Sequence, residues 1–332
     1  MILSANTVDI RDLHIWYRTF GGQVKVLNGV NLYVKKGEKV SIVGETGCGK
    51  TTTVKSILRI LAKQASVPQG EVLFQGENVL KMNRGELSKL RGSGVSMIFQ
   101  DPTMSLNPVF TIGEQMSAVI RYSGQPNADK KEVQHELAVK ALKETSMPDP
   151  DRILQSYPFQ LSGGMRQRIS IAMSLATPRE LVIADEPTTN LDVTIQDQVL
   201  KILKERVESK GSSLILITHS LGVARETTDR IYVMYAGNMV ETAPTKELFR
   251  RQLHPYTQAL MDCIPKLSGG GISEGIAGRI PNYLHPSPGC RFAPRCPKAC
   301  PRCHQEKPEY VDVGDQHQVA CFLYDERGNA HA

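Results

Sequence analysis

No apolar run in this sequence approaches the roughly 20 residues that a helix needs to cross a bilayer. The amino-terminal residues also lack the basic-then-apolar pattern of a secretory leader, so the expected compartment is the cytoplasm. A concentrated lysine and arginine run is missing too. The formal net charge of +6 over 332 residues is mild, and a nucleic-acid role has charge alone to support it. What is present is otherwise ordinary: 40% apolar and 22% charged residues describe a globular protein with a solvated surface. The length suffices for a full-sized core plus an appended smaller unit. Cysteine is unevenly spread, with five of seven between Cys290 and Cys321. In a reducing compartment such a cluster points to metal or cofactor chemistry rather than disulfides.

One stretch organises the rest. Gly44-Glu45-Thr46-Gly47-Cys48-Gly49-Lys50-Thr51 follows the apolar run Val40 to Val43, which reads as a buried strand. It precedes Val54, Ile57, Leu58 and Leu61, the i, i+3, i+4, i+7 spacing of a helix face. Strand, glycine-rich turn, Lys-Thr and helix are the context that a phosphate-binding loop requires. The glycines let backbone N–H groups converge on phosphate oxygens, and the helix start adds its positive dipole end. Lys50 is expected to reach the β- and γ-phosphates and the Thr51 hydroxyl to ligate Mg²⁺. The alternative is a glycine-rich turn that matches the pattern by chance.

The first hundred residues otherwise read as short strands: Val8 to Ile15, Val30 to Val34, a hairpin around Gln75-Gly76-Glu77, and Val95 to Phe99 before Gln100. Trp16-Tyr17 offers aromatic rings to a base or to the core, and the residues alone favour the core. From about 101 to 178 the texture is helical, with Val133, Leu137 and Ala141 spaced by four. Ser162-Gly163-Gly164 reads either as an exposed helix N-terminus or as a plain cap. Leu181 to Glu186 is an apolar strand ending in two carboxylates. Asp185 suits Mg²⁺ coordination through water, and Glu186 suits the polarising of an attacking water. Asp192 leads into a helix with Ile195, Val199, Ile202 and Leu203 on one face. His219 ends the strand Leu214 to Thr218, where ligands bind in open α/β sheets, although a lone histidine is usually structural. A helical stretch over 246 to 264 then gives way to Ser268-Gly269-Gly270-Gly271, a linker signal. Beyond it the chain is rich in Pro and Cys and needs a staple to be ordered.

In this order, the phosphate loop, Gln100, Leu161-Ser162-Gly163-Gly164, Asp185-Glu186, Asp192 and His219 resemble the ATP-binding-cassette ATPases. The resemblance covers essentially the whole chain and implies an α/β P-loop nucleotide-binding domain over 1–245. That domain comprises a RecA-like core, an antiparallel β subdomain and a helical subdomain at about 101–178. A smaller extension over 246–332 would carry a Cys-rich module at 290–321. The resemblance also implies roles. Tyr17 stacks on adenine; Gly44 through Thr51, with Thr52, binds the phosphates of ATP; Gln100 senses the γ-phosphate and Mg²⁺; Glu186 is the base; His219 contacts the γ-phosphate. Mg²⁺ falls to Thr51, Gln100 and Asp185. Ser162, Gly163 and Gly164 complete the ATP site of a partner subunit, and Asp192 links the two sites of the dimer. Each ATP is then held between two subunits, so binding closes the dimer and hydrolysis opens it.

Gln100-Asp101-Pro102, Ser105-Leu106-Asn107-Pro108, Ile112-Gly113-Glu114-Gln115 and His254-Pro255-Tyr256-Thr257 narrow the resemblance to the peptide and nickel importer ATPases. Within that branch, Met165-Arg166-Gln167-Arg168 and Ala184 to Thr189 are similar to the first of two paired ATPase subunits. Asn190 stands where alanine is usual, and Cys48 where serine or alanine is common. Cys48 is expected to do no redox work, with a pKa that a neighbouring phosphate site lowers. Cys290, Cys296, Cys303 and Cys321 match a carboxy-terminal pattern that holds a [4Fe–4S] cluster in some members. Structural zinc is the alternative, but the gaps of five, six and seventeen residues are loose for it. Cys300 forms a Cys-x-x-Cys with Cys303 that either metal can use. A structural staple is favoured over a redox sensor.

The implied partners are a second, similar ATPase subunit or another copy of this chain, two membrane permeases and, indirectly, an external peptide-binding protein. The implied location is the cytoplasmic face of the membrane, without nucleic acid. A nickel chelate is the alternative cargo. A cassette ATPase acting on DNA or the ribosome would carry coiled-coil insertions, a second cassette or a basic arm, none of which the sequence has. A P-loop kinase would lack the Leu-Ser-Gly-Gly element and Glu186.

Overall fold

Alternation of β-branched and polar residues makes strands of the first eighty residues, and these are longer than the pattern suggests. The computed structural model describes residues 6–188, 193–264 and 275–325. Over the described residues the chain forms two units. One gathers 6–7, Val34–Glu38 and the described residues of 81–217; the other gathers Val8–Tyr33, Lys39–Leu80 and the described residues of 218–325.

Strand β1 is Asn6–Thr19 and β2 is Gly22–Lys35; β3 is Lys39–Val43, β4 is Ala65–Phe74 and β5 is Glu77–Asn78. One sheet of the second unit has the order β2-β1-β4-β5. The hairpin at Gln75-Gly76 is present, and both residues are left-handed (φ 49° and 87°), as a two-residue hairpin turn demands. Strand β1 runs past the expected Val8 to Ile15 because register shifts between Arg11 and Trp16 break its alternation without ending the pairing to β4.

In the first unit, β6 (Val95–Ile98), β7 (Leu181–Asp185) and β8 (Ser213–Ile217) are parallel neighbours, so their carboxyl ends share an edge. Strands β7 and β8 are buried throughout, which suits their unbroken apolar sequence. The helices Ile112–Arg121, Lys131–Glu144 and Gly163–Leu175 enclose a core of Ile112, Met116, Ile120, Ala141, Leu142 and Ile169. Lys131–Glu144 buries Gln134, Ala138, Ala141 and Leu142; of the expected Val133–Leu137–Ala141 stripe, Ala141 is buried, Leu137 packs half-buried against the core and Val133 is half-buried. The Gln134 amide is accommodated by donating to the Ala128 carbonyl at 2.8 Å.

In the second unit β3 pairs parallel with β9 (Arg230–Tyr235), and β9 pairs antiparallel with β10 (Asn238–Pro244). The expected helix over 246 to 264 is two, Thr245–Arg250 and Pro255–Asp262, because the residue before a proline avoids the helical region. The sequence offered no strand signal near the carboxyl terminus. Even so, β11 (Val311–Asp312) and β12 (Gln318–Val319) extend this sheet beside β10.

The reason lies in one buried acid. Glu241 on β10 is fully buried and accepts from His317 Nε2 at 2.7 Å, Leu253 N at 2.8 Å and His254 N at 2.9 Å. Beside it, burial pushes His254 down to about 4, so its imidazole is neutral and its Nδ1 accepts from Tyr256 N at 3.0 Å. The folded pKa lies below the unfolded 6.5, so the unfolded chain binds the extra proton between those values. This contribution to stability is therefore present above pH 6.5 and lost as pH falls towards 4. Urea unfolding should show the wild type losing about 1.5 kcal/mol more than His254→Asn between pH 6.5 and 5. Equal losses would contradict a buried neutral histidine.

Candidate active site

The phosphate loop begins where β3 ends. Gly44 has φ 153°, and a side chain there would bring its Cβ within 2.1 Å of the Met234 carbonyl. Gly49 caps the helix Lys50–Ile57 with φ 110°, a conformation that favours glycine. Thr46 and Gly47 are exposed at the tip, while Thr51 and Thr52 are half-buried in the first helical turn. The Lys50 ammonium is buried and donates to the carbonyls of Gly44 at 2.8 Å and Glu45 at 3.1 Å. A buried cation held only by neutral carbonyls in these contacts is poised for an anion.

Cys48 is buried under the loop, and burial pushes its thiol up. The expected lowering does not occur, because desolvation of the thiolate outweighs the attraction of Lys50. Tyr17 is half-buried on β1 opposite Ala65. Neighbouring Trp16 lies under the Lys25 ammonium, 5.3 Å from the ring centre. His219 is exposed; it follows Thr218, whose hydroxyl accepts from Ser220 N, and Ser220 caps the helix Leu221–Thr227.

The other unit brings together two residues that lie 86 positions apart. Gln100 Nε2 donates to Glu186 Oε2 at 2.7 Å. Asp185 ends β7 and is 3% exposed; Glu186 follows it at 9%. Glu186 has φ 48°, a left-handed conformation costing about 1–3 kcal/mol that collects at functional sites. Its N–H donates to the Ile217 carbonyl at 3.0 Å.

Ser162 caps the helix Gly163–Leu175, its hydroxyl accepting from Met165 N at 3.3 Å. Ser162 and Gly163 are exposed, and open space surrounds the Gly163 Cα where a Cβ would stand. From the same helix Gln167 Nε2 donates to the Pro187 carbonyl at 2.5 Å, so this helix is tied to the residue after Glu186. Asp192 lies outside the described residues.

The sequence reading missed three side chains that hold the phosphate loop. The Tyr256 hydroxyl accepts from Glu45 N, the Tyr283 hydroxyl donates to the Gly47 carbonyl, and Arg295 pairs with the Glu45 carboxylate. Tyr256 belongs to a motif that marked the branch of the family and Arg295 stands beside Cys296, and nothing in their spacing assigns them this contact.

All seven cysteines are free thiols. Cys290 N donates to the Cys303 carbonyl at 2.8 Å, which joins two of the cysteine segments. Burial pushes Cys321 up to about 12, and the charges of Cys290, Cys296 and Cys303 push the same way. Exposed Cys300 has its Sγ 3.4 Å from that of Cys303, whose hydrogen bonds hold the Cys300 pKa down. Among the described residues no group of three or more His, Cys, Asp or Glu side chains is drawn together closely enough to hold a metal ion.

Residues 27–189 match the ABC transporter family, and residues 240–303 match the carboxy-terminal region of oligopeptide/dipeptide transporters. The chain is 42% identical to the dipeptide transport ATP-binding protein DppD of Bacillus subtilis, over 96% of this chain and 95% of the relative. It is 41% identical to the oligopeptide transport ATP-binding protein AppD of the same organism, over 97% and 98%. Among solved structures, the dimeric ATP-binding cassette MJ0796 bound to ADP and phosphate is similar, with a TM-score of 0.62 and 26% identity. That match covers 72% of this chain and 98% of the other.

Proposed function

This chain belongs to the ATP-binding proteins of the peptide ABC transporters, and on that premise we propose how its residues use ATP to drive peptide uptake. Lys50 and the N–H groups of Gly44 to Thr51 bind the phosphates, with Thr52 in the same helical turn, and Tyr17 stacks on adenine. Thr51, Gln100 and Asp185 hold Mg²⁺. Glu186 takes the proton of the attacking water as it approaches the γ-phosphorus, Gln100 orients that carboxylate, and His219 contacts the γ-phosphate. Ser162, Gly163 and Gly164 serve the ATP of a second subunit, which the exposure of Ser162 and Gly163 permits. Asp192 links the two sites. That subunit is a similar ATPase or a second copy of this chain, and the pair works on permeases at the cytoplasmic face of the membrane. No described helix is long and apolar enough to cross a membrane.

The cassette is proposed to occupy 1–245, with helices at about 101–178, and a Cys-rich extension to occupy 246–332. Cys290, Cys296, Cys303 and Cys321 are the four thiols that a [4Fe–4S] group takes, although among the described residues they are not drawn together closely enough to hold it. Bound there, the group would staple the segments together.

The observation that carries the ATPase reading is the Lys50 ammonium, buried and held by loop carbonyls alone in its described contacts. Replacing Lys50 with alanine removes a charge-assisted bond to phosphate and should weaken MgATP binding at least about tenfold by equilibrium titration. Unchanged affinity would remove the phosphate assignment.

A further inference from the structure

A phosphate loop gathers anionic oxygens, yet this one carries a carboxylate directly after its first glycine. Unneutralised, Glu45 would repel a nucleotide's phosphates, the more so where the protein excludes water. Glu45 is paired instead. Arg295 Nη1 donates to its Oε2 at 2.7 Å and Nη2 donates to its Oε1 at 3.0 Å, a fork-to-fork contact. The Arg295 side chain is 4% exposed and that of Glu45 25%.

The remaining donors of Arg295 are also engaged. Nε donates to the Ala277 carbonyl at 2.8 Å, Nη2 to the Ile276 carbonyl at 2.8 Å, and Nη1 to the Tyr235 hydroxyl at 3.2 Å. All five guanidinium N–H groups therefore have acceptors, an arrangement that lysine cannot reproduce. Two neighbours fix the same loop: the Tyr256 hydroxyl accepts from Glu45 N at 2.9 Å, and the Tyr283 hydroxyl donates to the Gly47 carbonyl at 2.9 Å. Each of these side chains lies beyond residue 250, and the motifs of the cassette give none of them a role at the nucleotide.

We propose that Arg295 is a positioning residue for nucleotide binding, which neutralises Glu45 and fixes its direction so that the loop presents a positive field to ATP. The proposal rests on the ATPase reading above. It also gives the carboxy-terminal region a task at the nucleotide. Arg295 sits in Pro294-Arg295-Cys296-Pro297, so whatever orders the cysteine segments orders the neutralising charge.

Isothermal titration of the full chain with MgATP tests this, using the wild type, Arg295→Ala, Arg295→Lys, Glu45→Gln and the double variants. Arg295→Ala should weaken binding about tenfold, because a carboxylate is left beside the phosphates without its partner. Arg295→Lys keeps the charge without the fork and should cost about threefold. Glu45→Gln supplies the reference in which no carboxylate needs neutralising. Arg295→Ala with Glu45→Gln should return to within about twofold of Glu45→Gln, because no carboxylate remains to neutralise. A purely packing role would leave that double variant as weak as Arg295→Ala. That result, or Arg295→Ala within about twofold of the wild type, would overturn the proposal. If Arg295→Ala does not fold, Arg295→Lys with and without Glu45→Gln makes the same comparison. A wild-type chain that binds no MgATP would remove the ATPase reading itself, and the proposal with it.

Discussion

Replacing Glu186 with glutamine should leave ATP bound while lowering phosphate release at least about 10²-fold, the range that a positioned general base contributes. The substitution keeps the shape of the side chain, and its amide oxygen can still accept from Gln100 Nε2, now 2.7 Å from the carboxylate. What it removes is basicity. The backbone at Glu186 is left-handed and its N–H is tied to Ile217, which fixes the direction in which its side chain leaves the chain. Glutamine adopts the left-handed region no more easily than glutamate, so the strain is common to both proteins. Phosphate release and nucleotide retention, measured with the partner subunits present, separate loss of binding from loss of chemistry. Normal turnover by Glu186→Gln would remove Glu186 as the base.

The second large effect is on stability. Glu241 is fully buried and accepts three hydrogen bonds, from a histidine and two backbone N–H groups. Glu241→Ala strands all three donors in a site that water does not reach. Removing one partner from such a buried network costs about 3–5 kcal/mol, which for a unit of this size lowers the melting temperature by roughly 10 °C. His317 and β12 lie on the far side of this acid, so limited proteolysis should release the carboxy-terminal segment first. A change below about 1 kcal/mol by urea unfolding would mean that the network contributes little beyond its packing.

Much of the cassette is legible because its chemistry is local. Val40 to Thr51 specifies strand, turn and helix within a dozen residues, and the apolar run before Asp185-Glu186 does the same for β7. Other features depend on partners distant in sequence. Nothing in the neighbourhood of Gln100 tells that its amide meets Glu186, although both were singled out. The spacing found Ala141 and Leu137 on the packed side of Lys131–Glu144 but not Gln134, which turns inward with its amide satisfied by a carbonyl that no periodicity reveals. Strands β11 and β12 are two residues each, too short for any alternation, and are held by Glu241 and its donors. Arg295 stood within a motif recognised for its cysteines, while its own partner is 250 residues away. Cys48 was misjudged because sequence shows the charged neighbours of a thiol but not its burial, and burial wins.

The most direct test of the account is ATP-dependent accumulation of a labelled oligopeptide by vesicles carrying this chain with its permease partners, with phosphate release followed in the same sample. Uptake should require MgATP, with phosphate released alongside it, and both should be lost when Glu186→Gln replaces the wild type. Uptake that proceeds without ATP, or at full rate with Glu186→Gln, would contradict the account.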